Sequence, residues 1–171
     1  MIVVMAGLPG TGKSTIALAL ADRFSAAVLN KDTIRHALFS ARDVEYSAEQ
    51  DDFVMDLMLQ AGQFLWLRDP ARMIILDGRP FSRSRQIERV IAFAQGLQQP
   101  WRILECVCSE ETARQRLETQ HRAGEHPAGN RDFQLYLPVK ARFEPITRTK
   151  TVLDTDQLLE TCVNQAVNAL S

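Results

Sequence analysis

A chain of 171 residues with 46% apolar and 24% charged residues has an ordinary globular composition and is too short for two full domains. Twenty Lys and Arg against 21 Asp and Glu give a formal charge of -1, which excludes a global field drawing the chain onto nucleic acid or an anionic membrane. No stretch approaches the ~18 continuous apolar residues of a membrane span, and no basic leader precedes the first apolar run. Cys106, Cys108 and Cys162 cannot all pair and lack a zinc-ligand spacing with histidine, so free, mostly buried thiols in a reducing cytoplasm are expected.

In chain order, the apolar run 2–6 predicts a strand buried on both faces, and 13–24 a helix with Ile16, Leu20 and Phe24 on one side. Residues 26–29 read as a second strand and 32–39 as a short helix. Ser47 and Gln50 have the spacing of a capping box opening a long helix to about Leu67, ended by Asp69-Pro70. On that helix Phe53, Leu57, Phe64 and Leu67 read as core. Val54, Met55, Met58 and Gln60 are candidates for lining a pocket, and Asp51, Asp52 and Asp56 for a solvated face. Strands are predicted at 73–76, 101–108 and 151–153, and helices at 84–97, 109–121, 133–143 and 157–170, Pro138 kinking or ending a turn of the third of these. Five strands separated by helices without a hairpin signal define one α/β domain over 1–171, a parallel sheet with right-handed crossovers and helices on both faces.

Gly7-Leu8-Pro9-Gly10-Thr11-Gly12-Lys13-Ser14 matches G-x-x-x-x-G-K-[ST] in full, between a predicted strand and a predicted helix. Glycines let successive backbone N–H groups curve around an anion, and the helix start adds its positive dipole end. Lys13 is placed to reach β- and γ-phosphates and the Ser14 hydroxyl to ligate Mg²⁺, with Thr15 next in the cradle. The second strand ends at Asn30-Lys31-Asp32, and Arg35 lies one turn beyond Asp32, so both face the crevice where ligands gather. Asp32 is a candidate base for a hydroxyl proton, Arg35 a contact for the acceptor. Ile75-Leu76-Asp77 is a Walker B pattern, with Asp77 able to orient the metal; at least one of Arg79, Arg83 and Arg85 is expected to face the acceptor. Arg116, Arg122 and Arg131 flank or enter a Gly- and Pro-containing segment fit for a lid over about 116–131. His121 and His126 lack a third ligand.

Together, Gly7–Ser14, Asn30-Lys31-Asp32 with Arg35, Leu76-Asp77-Gly78 and His126–Arg131 give the chain a resemblance to small P-loop kinases. It is most similar to the group of zeta toxins and the kinase domain of bacteriophage polynucleotide kinase. That resemblance implies a P-loop NTPase fold with strand order 2-3-1-4-5. It also implies Asp32 as general base, Arg35 toward the acceptor, Lys13 and Arg122 as catalytic cations, and ATP contacts from Arg116, Arg122 and Arg131. The expected activity is transfer of the ATP γ-phosphate to a hydroxyl of a small-molecule acceptor, with Mg²⁺, in the cytoplasm, by a monomer or homodimer without membrane contact. A polynucleotide 5′-hydroxyl acceptor and a nucleotide-dependent ATPase module without an acceptor are the alternatives.

Overall fold

The computed structural model describes residues 1–123 and 133–171. Its elements are β1 (Ile2–Ala6), α1 (Lys13–Phe24), β2 (Ala27–Asn30), α2 (Lys31–Leu38), α3 (Ala48–Trp66), β3 (Ile74–Asp77), α4 (Ser84–Gly96), β4 (Trp101–Val107), α5 (Glu110–Ala123), α6 (Phe133–Ala141), β5 (Thr151–Asp154) and α7 (Leu159–Leu170). Each expected strand and helix is present, with ends shifted by one or two residues at most positions. The sheet has the order β2-β3-β1-β4-β5, and every pair is parallel. Among the described residues no helix is long and apolar enough to cross a membrane.

The central strand shows why the apolar run 2–6 works as a strand. Ile2, Val4 and Ala6 join Val54, Met58, Ile87 and Val90 in one core layer, under α3 and α4. Val3 and Met5 join Ile16, Leu20, Leu153 and Cys162 in the other, under α1 and α7. Alternate residues of a strand face opposite sides, so a strand covered on both faces must be apolar throughout. Each Val, Leu or Ile buried in this way contributes about 1.5–3 kcal/mol. A third, smaller cluster of Ala113, Leu117 and Tyr136 packs with Leu8 and so seats α5 and α6 against the loop after β1.

On α3 the Ser47 cap is present, its hydroxyl accepting from the Gln50 N–H at 3.1 Å. The reciprocal half is not: Gln50 Oε1 accepts from the Glu45 N–H instead. Of the four residues expected in the core, Phe53, Phe64 and Leu67 are exposed and Leu57 is half-buried. Val54, Met55 and Met58, the pocket candidates, are core residues, and Gln60 is exposed. Both faces of this helix are apolar, so periodicity alone does not choose between them. Gly62 marks the true inner face, where β3 approaches and a Cβ would stand 3.7 Å from Ile74. Pro138 lies inside α6, and the helix continues past it to Ala141.

Candidate active site

The carboxyl ends of the strands share one edge, and the candidate residues converge there. The loop between β1 and α1 turns sharply at Gly7, whose φ is +127°; a Cβ there would stand 2.2 Å from the Cys106 carbonyl oxygen on β4. No other residue fits that approach. Thr11 donates its hydroxyl to the Leu8 carbonyl at 2.8 Å. Lys13 is buried and donates to the carbonyls of Gly7 at 2.9 Å and Leu8 at 2.6 Å, across the mouth of its own loop. Beneath the loop, burial pushes the Cys106 thiol up to about 12, which makes it inert packing.

Two cavities meet at this loop, and Lys13 and Ser14 line both. The larger, about 360 Å³, lies over Gly10, Gly12 and Thr15 and is closed by Arg116, Gln120 and Thr155. Arg116 is on α5, ahead of the Gly- and Pro-containing segment, and donates to the Thr155 carbonyl at 2.7 Å, the Thr155 hydroxyl at 3.0 Å and the Gly10 carbonyl at 3.4 Å. It thereby ties the phosphate loop to the end of β5. Thr155 adds a hydrogen bond to the Thr11 carbonyl at 3.1 Å. Gln120 brings a buried Oε1 with no partner among the described residues. Arg122 sits on the last turn of α5, with a side chain 82% exposed and 3.8 Å from Glu118, and lines neither cavity. Its expected place in a lid loop is therefore corrected: the helix runs on to Ala123. Arg131 and His126–Asn130 lie outside the described residues.

The smaller cavity, about 110 Å³, opens beyond β2 and β3 and holds Asp32, Arg35, Asp77 and Arg79. Asn30 organises it. Paired in register with Asp77, it donates Nδ2 to Asp77 Oδ2 at 2.7 Å, while its Oδ1 caps α2 by accepting from the N–H groups of Asp32 and Thr33. The helix cap is thus Asn30 rather than Asp32, whose carboxylate is left for the cavity. Gly78, at φ +84°, lets the chain pass beside this cap, since a Cβ there would stand 2.8 Å from the Lys31 nitrogen.

Asp32 Oδ1 accepts from Arg35 at 3.3 Å and lies 3.4 Å from Lys31 Nζ. Both contacts fall on Oδ1. Asp51 corrects the expectation of a solvated acidic face: it pairs with Lys31 at 2.7 Å and with Arg35, and it lines the cavity. Its neighbour Asp52 accepts from Arg79 at 2.6 Å. Asp56 does lie at the surface, paired with Arg89. Of the three arginines after β3, Arg79 is the buried one; Arg83 pairs with Glu144 at 2.9 Å and Arg85 is exposed. Burial pulls the Lys31 ammonium down to about 8, against the raising effect of Asp32 and with Arg35 and Arg79 pushing further down. Burial also lowers Arg35 and Arg79, offset in part by Asp32 and Asp52 respectively.

Sequence reasoning missed Lys31, Asp51, Asp52, Gln120 and Thr155 as site residues. Acids near the start of a helix are equally well explained by the helix dipole, so nothing local marked Asp51 and Asp52 as partners of buried arginines.

A phosphate loop after β1, this strand order and two cavities joined at the loop lysine define the fold of P-loop kinases. The sequence profile of a family described as an AAA domain matches residues 2–146, and the chain belongs to that family. Solved structures agree on the fold. A putative kinase from Chloroflexus aurantiacus is 18% identical, with a TM-score of 0.75 over 99% of this chain and 98% of that one. The APS kinase CysC of Mycobacterium tuberculosis, in complex with AMPPNP and APS, is 17% identical at TM-score 0.70, over 99% and 96%. Kti12 of Chaetomium thermophilum, in complex with ADP-AlF3, is 17% identical at TM-score 0.70, over the whole of both chains. None of the curated proteins matches the sequence significantly.

Proposed function

We propose that this chain is an ATP-dependent phosphotransferase that moves the γ-phosphate of ATP onto a hydroxyl of a small-molecule acceptor. The observation that carries the proposal is the junction of two cavities at Lys13 and Ser14, the larger on the phosphate loop and the smaller around the Asp32 carboxylate. In this reading the loop N–H groups from Gly7 to Thr15 and the Lys13 ammonium hold the donor phosphates, and Arg116 and Gln120 bound the nucleotide. Asp32 Oδ2 takes the acceptor's proton as its oxygen attacks the γ-phosphorus in line. The bond between that phosphorus and the β–γ bridging oxygen breaks, and ADP departs. Lys13 stabilises charge spread over the transferring oxygens, and positioning supplies much of the remaining acceleration.

The residues present fit Mg²⁺. Asp77 Oδ1 is buried without a partner among the described residues, while Oδ2 is fixed by Asn30. Ser14 and Asp77 would hold the ion, directly or through water; when bound, it supplies neutralisation of the β- and γ-phosphate oxygens.

A cavity near 110 Å³ suits a small acceptor. The exposed arginines Arg83, Arg89 and Arg148 are already paired with carboxylates, which disfavours a nucleic-acid backbone on the surface they occupy. The closer likeness to zeta toxins and polynucleotide kinase belongs to the same proposal and rests on Asn30-Lys31-Asp32 and Arg35. The experiment is a screen of hydroxyl compounds for accelerated ADP release, with Lys13→Ala as control. Acceleration by one compound class, absent in Lys13→Ala, supports the kinase; rapid hydrolysis that no hydroxyl compound accelerates supports the ATPase module instead.

A further inference from the structure

The smaller cavity contains more cation than a neutral acceptor needs. Lys13 and Asp77 serve the donor phosphates and the metal in the reading above. The remaining wall carries Lys31, Arg35, Arg79 and Arg142 against the carboxylates of Asp32 and Asp51. Arg35 is 1% exposed and Arg79 4%. Removing a guanidinium from water costs several kcal/mol unless its charge and its N–H groups are fully matched. Here they are not. The Nε–H groups of both arginines are buried without a partner among the described residues. Arg35 is paired with Asp32 and Asp51, and Arg79 with Asp52; Asp51 and Asp52 are consecutive on α3 and each partly open to solvent.

A buried guanidinium with an unmatched Nε–H is the fork that receives a planar or tetrahedral oxyanion, two N–H groups to two oxygens. We infer that the acceptor is an anionic hydroxyl compound whose oxyanion is held by Arg35 and Arg79 beside Lys31. Asp51 and Asp52 act as the counter-ions that this oxyanion displaces. This rests on the phosphotransferase reading for the word acceptor, and on the cavity alone for the anion site. An uncharged polyol would bring no charge to match three buried cations and the unpartnered Nε–H groups of the two arginines. An oxyanion satisfies them and orients the hydroxyl end of the compound toward Asp32. The same chemistry is carried by phosphate and sulfate monoesters and by carboxylates.

The test uses the full chain with its donor site saturated by a non-hydrolysable ATP analogue and Mg²⁺, so that the phosphate loop is occupied. Sodium sulfate, divalent at all working pH values, is titrated at constant ionic strength by calorimetry. One sulfate per chain is expected, weakened about tenfold or more in Arg79→Gln, the loss of a charge-assisted hydrogen bond, and unchanged in Arg68→Gln, just beyond the far end of α3. In Asp52→Asn, where Arg79 loses its counter-ion, sulfate should bind several-fold more tightly, a gain that misfolding cannot produce. Sulfate binding that acetate fails to displace supports a phosphate or sulfate ester; displacement by acetate at similar concentration supports a carboxylate. Absence of a sulfate site, or a site indifferent to both Arg79→Gln and Asp52→Asn, overturns the inference. If the ATP analogue does not bind, the phosphotransferase reading falls. The sulfate titration, repeated in Lys13→Ala, still decides the anion site by its dependence on Arg79.

Discussion

Among the described residues, the larger cavity is lined by the phosphate loop, by polar side chains such as Gln120 and Thr155, and by two charged ones, Lys13 and Arg116, whereas eight charged side chains line the smaller one. A phosphate chain can be held by curved backbone N–H groups that any sequence with the right glycines supplies. In the proposed function a particular acceptor is read by side chains, which would come from α2, α3, the segment after β3 and the segment after α6. One side of Lys13 is therefore generic and built locally, the other specific and assembled from distant parts of the chain.

The sharpest way to break this division is at its boundary. Lys13→Ala should lower phosphoryl transfer by about 10²–10³-fold or more, because it removes a charge from the developing transition state. Steady-state kinetics with any active acceptor read this out, and a loss below tenfold would remove Lys13 from the centre. Gly78→Ala tests the acceptor wall alone. A Cβ at φ +84° and 2.8 Å from the Lys31 nitrogen should destabilise by about 2–4 kcal/mol, from left-handed strain plus overpacking. Urea unfolding measures the loss, and under native conditions transfer should fall more than nucleotide affinity. Arg116→Ala tests the other wall. It should weaken nucleotide binding about tenfold, with acceptor KM unchanged, since Arg116 fastens Gly10 to Thr155.

The smallest effect is in pH. With Lys31 near 8, the cavity loses a cation as pH rises through that value. Sulfate affinity with the donor site filled should then be highest below pH 8 and fall a few-fold, about threefold or more, by pH 9.5. The groups facing Lys31 are Asp32 and Arg35 from α2, Asp51 from α3 and Arg79 after β3. Lys31→Met should bind sulfate more weakly at neutral pH and show no fall above pH 8.

The same division explains what could be read from the sequence. The phosphate loop, the five parallel strands and the pair Asp32 and Asp77 follow from local rules: glycine spacing, apolar runs, a carboxylate at a strand end. The acceptor wall did not follow, because Lys31–Asp51, Arg35–Asp51 and Arg79–Asp52 join residues 16 to 27 positions apart. No periodicity encodes such pairs. The phase of α3 was misread for a related reason. Its two apolar faces are equivalent until β3 is known to lie against Gly62, and turning the helix over also turns Asp51 from solvent into the cavity and Asp52 onto Arg79. Arg122 was placed in a loop because the polar run that begins there carries glycines and a proline, although α5 runs on to Ala123.

The most direct measurement concerns Asp32, the carboxylate of the smaller cavity proposed to take the proton of the hydroxyl. Wild-type and Asp32→Asn chains are loaded with γ-labelled ATP and Mg²⁺, and transfer to an accepted hydroxyl compound is followed in a single turnover. Nucleotide affinity should match wild type within about twofold, with transfer slowed by about 10²–10⁴-fold, the range expected for loss of a general base. Transfer at near wild-type rate in Asp32→Asn would contradict the account.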